Sequence, residues 1–516
     1  MISDPSSKVI RLSTLVDREG NSSVEDEVAL CFGGFSVIHP GHLRYFRQAK
    51  ELGEKVHVAL EGVVDNHGPK SFSVESRAEA LASLDIIDKV IILDDGSLLD
   101  FVRISTPAVL VLGKEFELER AFQVREVVEF LGTVHSQVFY AAGEVQYADV
   151  TVFNGKENEL AEKRLSEFKE ILKANEINLL PLLDRLFAEP SRILVIGDTI
   201  IDRYIACDAM GMSAEAPVIV VKELEERSYL GGAGVVAAHT NGLIGQCSYL
   251  SVVGDDEQKN WVERELERIG IDSTLFTDAR RPTTVKTRYM VDKQKLFRVS
   301  KLTEHSIPSA LENKIIQKID QILPSFDGVI ISDFGYGMLT RKVLERVLQV
   351  ARQNNVAVFG DVQSSSQIGN VLKLRNIDLI SPTEREARIA LGNQDDGIER
   401  VANLLQTATE ARYLVIKLGA DGFVTYGPAD ESGERSRQSF PALTINPVDV
   451  TGAGDTLLAV MGCALASGVG LLPAAALASC ACATAVRSLG NHPVTQSRLR
   501  EFIKTEILKL DHQLGG

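Results

Sequence analysis

At 516 residues the chain exceeds what one ordinary hydrophobic core accommodates, so two domains of unequal size are expected. A hydrophobic fraction of 45% beside 24% charged residues is that of a globular protein in water, and a formal net charge of -16 excludes a general nucleic-acid or anionic-membrane surface. No uninterrupted apolar run is long enough to span a bilayer, and residues 1–26 are polar and acidic rather than signal-like, so the cytoplasm is the expected location.

Residues 1–27 read as a polar tail ahead of a first domain over 28–153. Val28-Ala29-Leu30-Cys31-Phe32 is a buried-strand pattern that runs through Gly33-Gly34 into Phe35-Ser36-Val37-Ile38-His39-Pro40-Gly41-His42, and a helix is predicted over 43–52. Strand-like runs recur at 55–60, 89–93, 108–112 and 137–140, with helix-period segments around 76–84 and 118–131 between them. The alternation predicts a doubly wound α/β domain with a parallel sheet. Ligands in such folds bind at the carboxyl ends of strands, which is where His39 and His42 fall. Two imidazoles flanking Pro-Gly at a helix start can donate N–H bonds to a phosphate as charge builds on its bridging oxygen. A purely structural His pair is the alternative. The six cysteines lie scattered in apolar contexts without C-x-x-C spacing, which argues for reduced core thiols and against a zinc site.

The run from Gly34 and Phe35 through His39 and His42 resembles the H-x-G-H nucleotidyltransferases, and more narrowly the nucleotidyltransferase half of the bifunctional heptose-phosphate kinase/adenylyltransferase family. The resemblance extends through Lys70, Arg77 and Val111-Leu112-Gly113-Lys114. It implies that the histidines stabilise pentacoordinate phosphorus during displacement of pyrophosphate, and that Gly34, Phe35, Lys70, Arg77 and Lys114 contact the nucleotide. Read as residues alone, Lys70, Arg77 and Lys114 are equally compatible with solvated surface charge. Three departures bear on nucleotide choice: Ser36 replaces an Asp, Gln146-Tyr147-Ala148-Asp149 replaces Ser-Thr-Thr, and Glu61-Gly62-Val63 replaces Asn-Ser-Asp.

Residues 154–190 are dense in Glu and Lys, with Leu165, Phe168 and Leu172 at helical spacing and a second apolar stretch over 179–187. They read as a helical bridge with an interaction face, or as a helix facing a core. The second domain is expected over 191–510. Its first strand, 192–196, delivers Asp198 and Asp202, whose carboxylates can accept bonds from several sugar hydroxyls; helix capping by Asp198 is the alternative reading. An alternating stretch over 213–221 precedes Gly231-Gly232-Ala233-Gly234 and a helix over 235–243. Tandem glycines at a helix start let a ligand approach the backbone. Lys286, Arg288 and Arg298 lie on a predicted strand pair and could hold a sugar phosphate.

Strand 328–332 leads to Asp333-Phe334-Gly335-Tyr336-Gly337, and strands follow at 356–361, 378–381, 413–417 and 423–426. The last two flank Gly419-Ala420-Asp421-Gly422. Asp449-Val450-Thr451-Gly452-Ala453-Gly454-Asp455 then sets a glycine turn before long apolar helices over 457–467 and 472–489. Unpaired N–H groups at such a helix start make an anion site, and Asp455 at its mouth could accept the proton of an attacking hydroxyl. A tightly packed helix entry is the bland reading of Gly-Ala-Gly alone.

The seven-residue string resembles the signature of the ribokinase-like (PfkB) sugar kinases, and the motif order over 191–510 resembles the heptose-7-phosphate kinases, with the two halves in reverse order from the familiar bifunctional family. The resemblance implies a ribokinase-like α/β fold with a small β lid, Asp455 as catalytic base, and the Gly452, Ala453 and Gly454 backbone as anion hole. It implies a sugar site around Asp198, Asp202, Gly231, Gly232 and Asp333, and an ATP site along Lys417, Gly419, Asp449 and Thr451. Glu386 would organise Mg²⁺ through water. Two departures stand out: Thr383 replaces the Asn of Asn-x-x-Glu, and Asp361-Val362-Gln363 replaces Asp-Pro-Lys, removing a point charge. The expected co-substrates are ATP, a sugar phosphate and a nucleoside triphosphate for the first domain, with Mg²⁺ as cofactor and a homo-oligomer as the assembly. A first domain that binds ligand without turnover and regulates the kinase is the competing expectation.

Overall fold

The computed structural model describes residues 5–16, 25–35, 38, 40–62, 73–94, 97–113, 122–134, 136–140, 157–213, 218–291, 294–363, 370–429 and 435–508. His39, Lys70 and Lys114, the departure at Ser36 and the segment 146–149 lie outside the described residues. The chain divides into two compact units, Met1–Thr151 with Gly392–Asn403, and Val152–Leu391 with Leu404–Gly516.

In the first unit, β1 (Val9–Arg11), β2 (Glu25–Gly33), β3 (Lys55–Leu60), β4 (Lys89–Ile92), β5 (Pro107–Leu112) and β6 (Gln137–Tyr140) form an all-parallel sheet in the order β1-β4-β3-β2-β5-β6. Side chains alternate along β2: Ala29 and Cys31 join one apolar layer with Phe46 and Leu81, Leu30 and Phe32 the opposite one with Phe101 and Val127. Apolar layers on both faces are what a parallel sheet covered by helices requires. Strand order reverses between β2 and β5, so the carboxyl end of β2 is the switch point where such folds bind ligands. The residues read as a polar tail contribute β1, which pairs with β4 while the Lys8 amine donates to the Ile87 carbonyl at 2.9 Å. Polar composition concealed a three-residue edge strand there. The helix Leu98–Ser105, absent from the sequence reading, is announced by a Ser97/Asp100 capping box.

The second unit carries β7 (Ile193–Gly197), β8 (Thr199–Met212), β9 (Ile219–Gly232), β10 (Cys247–Val253), β11 (Asp272–Thr277), β12 (Thr284–Val291), β13 (Gln294–Lys301), β14 (Gly328–Asp333), β15 (Ala357–Val362), β16 (Leu379–Ile380), β17 (Tyr413–Lys417), β18 (Phe423–Ala429) and β19 (Arg435–Phe440). A nine-stranded sheet runs β11-β10-β7-β14-β15-β16-β17-β18-β19, parallel as far as β17 and closed by two antiparallel strands. A separate sheet, β13-β12-β8-β9, forms the expected lid. The helices Ala453–Ala466 and Leu471–Ala485 are built from small and apolar residues and are buried nearly all round. Smallness lets the first lie directly on the sheet: a Cβ on Gly462 would stand 2.8 Å from Ile330 Cδ1. The helices Glu157–Ala174 and Leu179–Ala188, expected as a bridge, place Phe168, Ile171, Leu183 and Leu186 in this same core, so the core-facing alternative holds.

Candidate active site

The loop after β15, the end of β17, the start of β18, the loop before the signature helix and the two buried helices enclose a cavity of about 530 Å³. Its lining joins a polar cluster, Gln363, Thr383, Glu386, Lys417 and Asp455, to apolar residues of the 441–450 segment, Pro441, Leu443, Ile445 and Val450, and to Cys482, Ala483 and Val486 at the end of the second buried helix. A polar cluster within an otherwise largely apolar lining suits a ligand with an apolar ring and an anionic tail. Gly419 and the backbone of Gly452, Ala453 and Gly454 line the same space. The 441–447 wall was missed in the sequence, because Pro-Ala-Leu-Thr-Ile has no periodicity to mark it.

Asp455 sits in the first turn of the helix Ala453–Ala466 and is buried. Its Oδ1 accepts the Gln363 amide at 2.8 Å. Burial, with Asp361 and Asp202 nearby, pushes its carboxyl up to about 7 against the pull of Lys417 and Lys286. Burial likewise raises the Asp361 carboxyl to about 6, although the Lys417 amine lies 2.7 Å from its Oδ2. For Lys417 itself burial disfavours the charge, but Asp361, Glu386 and Asp455 outweigh it and hold the amine above its ordinary range. Thr383 and Glu386 form a capping box: the Thr383 N–H donates to Glu386 Oε2 at 2.8 Å, and the Glu386 N–H donates to the Thr383 hydroxyl at 3.2 Å. The Thr383 departure thus keeps Glu386 oriented at the cavity.

The two aspartates of the signature part company. Asp449 and Thr451 are not among the cavity's lining residues. Asp449 Oδ1 accepts from the Thr451 N–H (3.0 Å), the Thr451 hydroxyl (2.7 Å) and the Lys295 amine (2.9 Å), and Oδ2 from the Tyr204 hydroxyl (2.8 Å) and the Gly490 N–H (3.3 Å). Burial works against its charge, but these donors hold its carboxyl down at about 2. Asp449 therefore ties lid strands β8 and β13 to the signature loop.

A buried chain of bonds fixes the glycine turn from below. The Val494 N–H donates to His239 Nδ1 (3.0 Å), His239 Nε2 meets the Thr456 hydroxyl (3.0 Å), and that hydroxyl donates to the Gly452 carbonyl (2.9 Å). Burial, aided by Arg498, lowers the His239 imidazole to about 3, so it is neutral in the folded chain. The unfolded chain binds that proton below about 6.5, so this stabilisation is complete above that pH and is lost as pH falls toward 3. Wild type is expected to lose about 2 kcal/mol relative to His239→Gln between pH 6.5 and 5, read by urea unfolding of both proteins. Equal losses would contradict the buried neutral imidazole. Gly452 adopts φ +81°, and a Cβ there would lie 2.7 Å from Asn491 Oδ1. Gly452→Ala is expected to displace the turn and lower kcat about 100-fold in an ADP-release assay.

At the neighbouring end, Asp198 accepts N–H bonds from Phe334 (3.0 Å), Tyr336 (3.2 Å) and Met338 (3.4 Å), shaping the loop after β14. Burial and the adjacent Asp333 push its carboxyl up to about 6. Asp333 is engaged by Lys373 and by the Gly335 N–H at 2.8 Å. The Lys286 amine lies over the Phe334 and Tyr336 rings, 5.0 and 5.3 Å from their centroids. Asp202 pairs with Arg288 and accepts the Asn491 amide at 2.7 Å, with Gly231 packed against its carboxylate. Gly232, at φ +59°, starts the helix Ala233–Ile244. Arg298 is instead exposed on β13, across from Arg288. Gln363, Lys295 and Lys373 were given no binding role from sequence, since their partners lie far away along the chain.

In the first unit the Tyr45 hydroxyl donates to the Val111 carbonyl at 2.5 Å and accepts the Phe32 N–H at 3.1 Å, bridging β2 and β5 where they diverge. Phe35, at φ +43°, turns its buried ring onto His42, centroids 5.1 Å apart. Arg77 is buried rather than solvated: its guanidinium binds the Gly34 carbonyl and, at 3.0 Å, the Gly62 carbonyl. It pins the loops after β2 and β3, and Gly34 and His42 stand at the switch point.

Residues 190–496 match the pfkB family carbohydrate kinases, and residues 30–178 match the cytidylyltransferase-like family. The chain is 32% identical over 325 residues to Bifunctional protein HldE of Helicobacter hepaticus, an alignment covering 62% of this chain and 65% of that protein, just under two thirds of its length. It is 31% identical over 331 residues to the protein of the same name from Campylobacter jejuni subsp. doylei, covering 64% and 68%. Phosphofructokinase-2 from Escherichia coli, solved with substrates and products, superimposes with a TM-score of 0.51 at 14% identity over 61% of this chain and 98% of its own, which shows a shared fold. With the family match spanning more than half of the sequence, the chain belongs to the pfkB family of carbohydrate kinases and carries a cytidylyltransferase-like domain ahead of the kinase domain.

Proposed function

We propose that the second unit phosphorylates a hydroxyl of a sugar phosphate with ATP, and that the first couples the resulting sugar 1-phosphate to a nucleotide with release of pyrophosphate. The observation that carries the kinase reading is Asp455, buried at the start of a helix beside the Gly452–Gly454 amides, with its carboxyl raised to about 7. A base in that range takes a proton near neutral pH. The triphosphate would lie at the polar cluster of the cavity with its base against the apolar lining, and the sugar toward Asp198, Asp202 and Gly232. Asp455 would accept the proton of the attacking hydroxyl while the amides at the helix start receive the charge developing on the γ-phosphoryl group.

Mg²⁺ fits the residues present. Asp361 Oδ1 is buried without a hydrogen-bond partner, and Glu386 lines the cavity together with Lys417, the ion-pair partner of Asp361, while no cluster of three or more candidate metal ligands occurs among the described residues. One or two carboxylates, with substrate phosphates supplying the other oxygens, is the usual donor set for this ion. Asp361 and, through water, Glu386 would hold it; when bound it would neutralise charge on the phosphate oxygens.

Heptose phosphates, which the sequence resemblance implies, are the leading acceptor class, and homo-oligomerisation is supported by exposed apolar residues of the lid sheet, among them Met212, Ile219, Leu224 and Phe297. No helix among the described residues is long and apolar enough to cross a membrane, consistent with the proposed cytoplasmic location. Offering a panel of phosphorylated sugars with ATP and reading ADP tests the kinase; heptose 7-phosphate is expected to be the best acceptor. ATP turnover that no member of the panel accelerates would refute it.

A further inference from the structure

The sequence resemblance puts a lysine at position 363, where this chain has Gln363, so the phosphate end of the kinase cavity lacks the point charge expected there. Lys417 supplies a cation from another strand. It ends β17, and its ammonium is 2.7 Å from Asp361 Oδ2, near the end of β15, across the intervening short strand β16. The same ammonium would stand 3.2 Å from a Cβ on Gly454, so it lies directly against the glycine turn. Its side chain lines the cavity beside Asp455, Glu386 and Gln363. Gln363 meanwhile donates to Asp455 Oδ1 and leaves Oδ2 as the oxygen for the incoming proton.

Resting on the kinase reading above, we propose that Lys417 is a catalytic residue that contacts the transferred phosphoryl group in place of a lysine at 363, and that Gln363 is a positioning residue for Asp455. In the step, the sugar hydroxyl oxygen forms a bond to the γ-phosphorus and its proton passes to Asp455 Oδ2. The bond from phosphorus to the bridging oxygen breaks, with the electron pair leaving on ADP. Lys417 stays protonated throughout and donates to the equatorial oxygens. The neutral Gln363 amide orients the carboxylate and lowers its basicity less than a lysine there would, since a full positive charge favours the ionised form more strongly.

The test uses the full chain, ATP and heptose 7-phosphate, with ADP release, ATP affinity by calorimetry and thermal melting read for each variant. Lys417→Met is expected to lower kcat about 100-fold, with ATP Kd within threefold and melting retained. Adding Gln363→Lys to Lys417→Met is expected to restore kcat at least tenfold. Gln363→Lys alone should move the acid limb of the pH–rate profile to lower pH. A kcat for Lys417→Met within threefold of wild type, a loss confined to ATP affinity or melting, or no recovery in the double variant would each overturn the proposal. Asp455→Asn in the same assays keeps the two readings apart: if it alone retains activity, the base assignment fails, whatever the outcome at Lys417.

Discussion

Asp455→Asn is expected to lower kcat of the kinase by about 10³- to 10⁴-fold, at the upper end of what general-base removal costs. Asn has nearly the same shape, so the Gln363 contact and the helix start should persist and ATP should still bind. The pH dependence follows from the same carboxyl. Burial and neighbouring carboxylates raise it to about 7, so the base is ionised above that pH and protonated below it. Activity should therefore fall about tenfold per pH unit on the acid side, and the limb should vanish from the residual activity of the variant. A limb unmoved in Asp455→Asn would assign the titration to another group, with Asp361 and Asp198, both near 6, as the alternatives.

His42→Ala is the second large effect. The ring stands at the reversal of strand order in the first unit, packed edge-on against Phe35. If it donates to the phosphate under attack, its loss should cut pyrophosphate release by about 10²- to 10³-fold, and His39→Ala should do the same. Release is measured with each nucleoside triphosphate and heptose 1-phosphate. Tight nucleotide binding by wild type without release in any combination would instead assign the first unit to sensing.

Much of this site was legible because its signals are local. A glycine turn before an apolar helix reads directly from Gly452, Ala453 and Gly454, and apolar runs located β2 to β7 and β14 to β18, whereas β8, β10, β11 and β19 went unread. The different roles expected of Asp449 and Asp455 came from the sequence, but the surroundings of each carboxylate did not. Both flank the same turn, and their difference comes from Tyr204 and Lys295, brought in by the lid, and from Gln363 and Asp361, brought in by β15 and its loop. Arg77 misled for a similar reason. A lone arginine on a helix is normally solvated, and only the closeness of the Gly34 and Gly62 carbonyls makes it a buried clamp. The acidic stretch before Val28 hid β1, since a three-residue strand is too short to show a period.

Everything above depends on the cavity beside Asp455 transferring phosphate from ATP to a sugar. Phosphorus NMR of purified chain with ATP, Mg²⁺ and heptose 7-phosphate tests it most directly. A new sugar phosphomonoester signal is expected to grow in step with ADP, and none with Asp455→Asn. ADP formed together with free inorganic phosphate alone, or a sugar product made equally well by the variant, would contradict it.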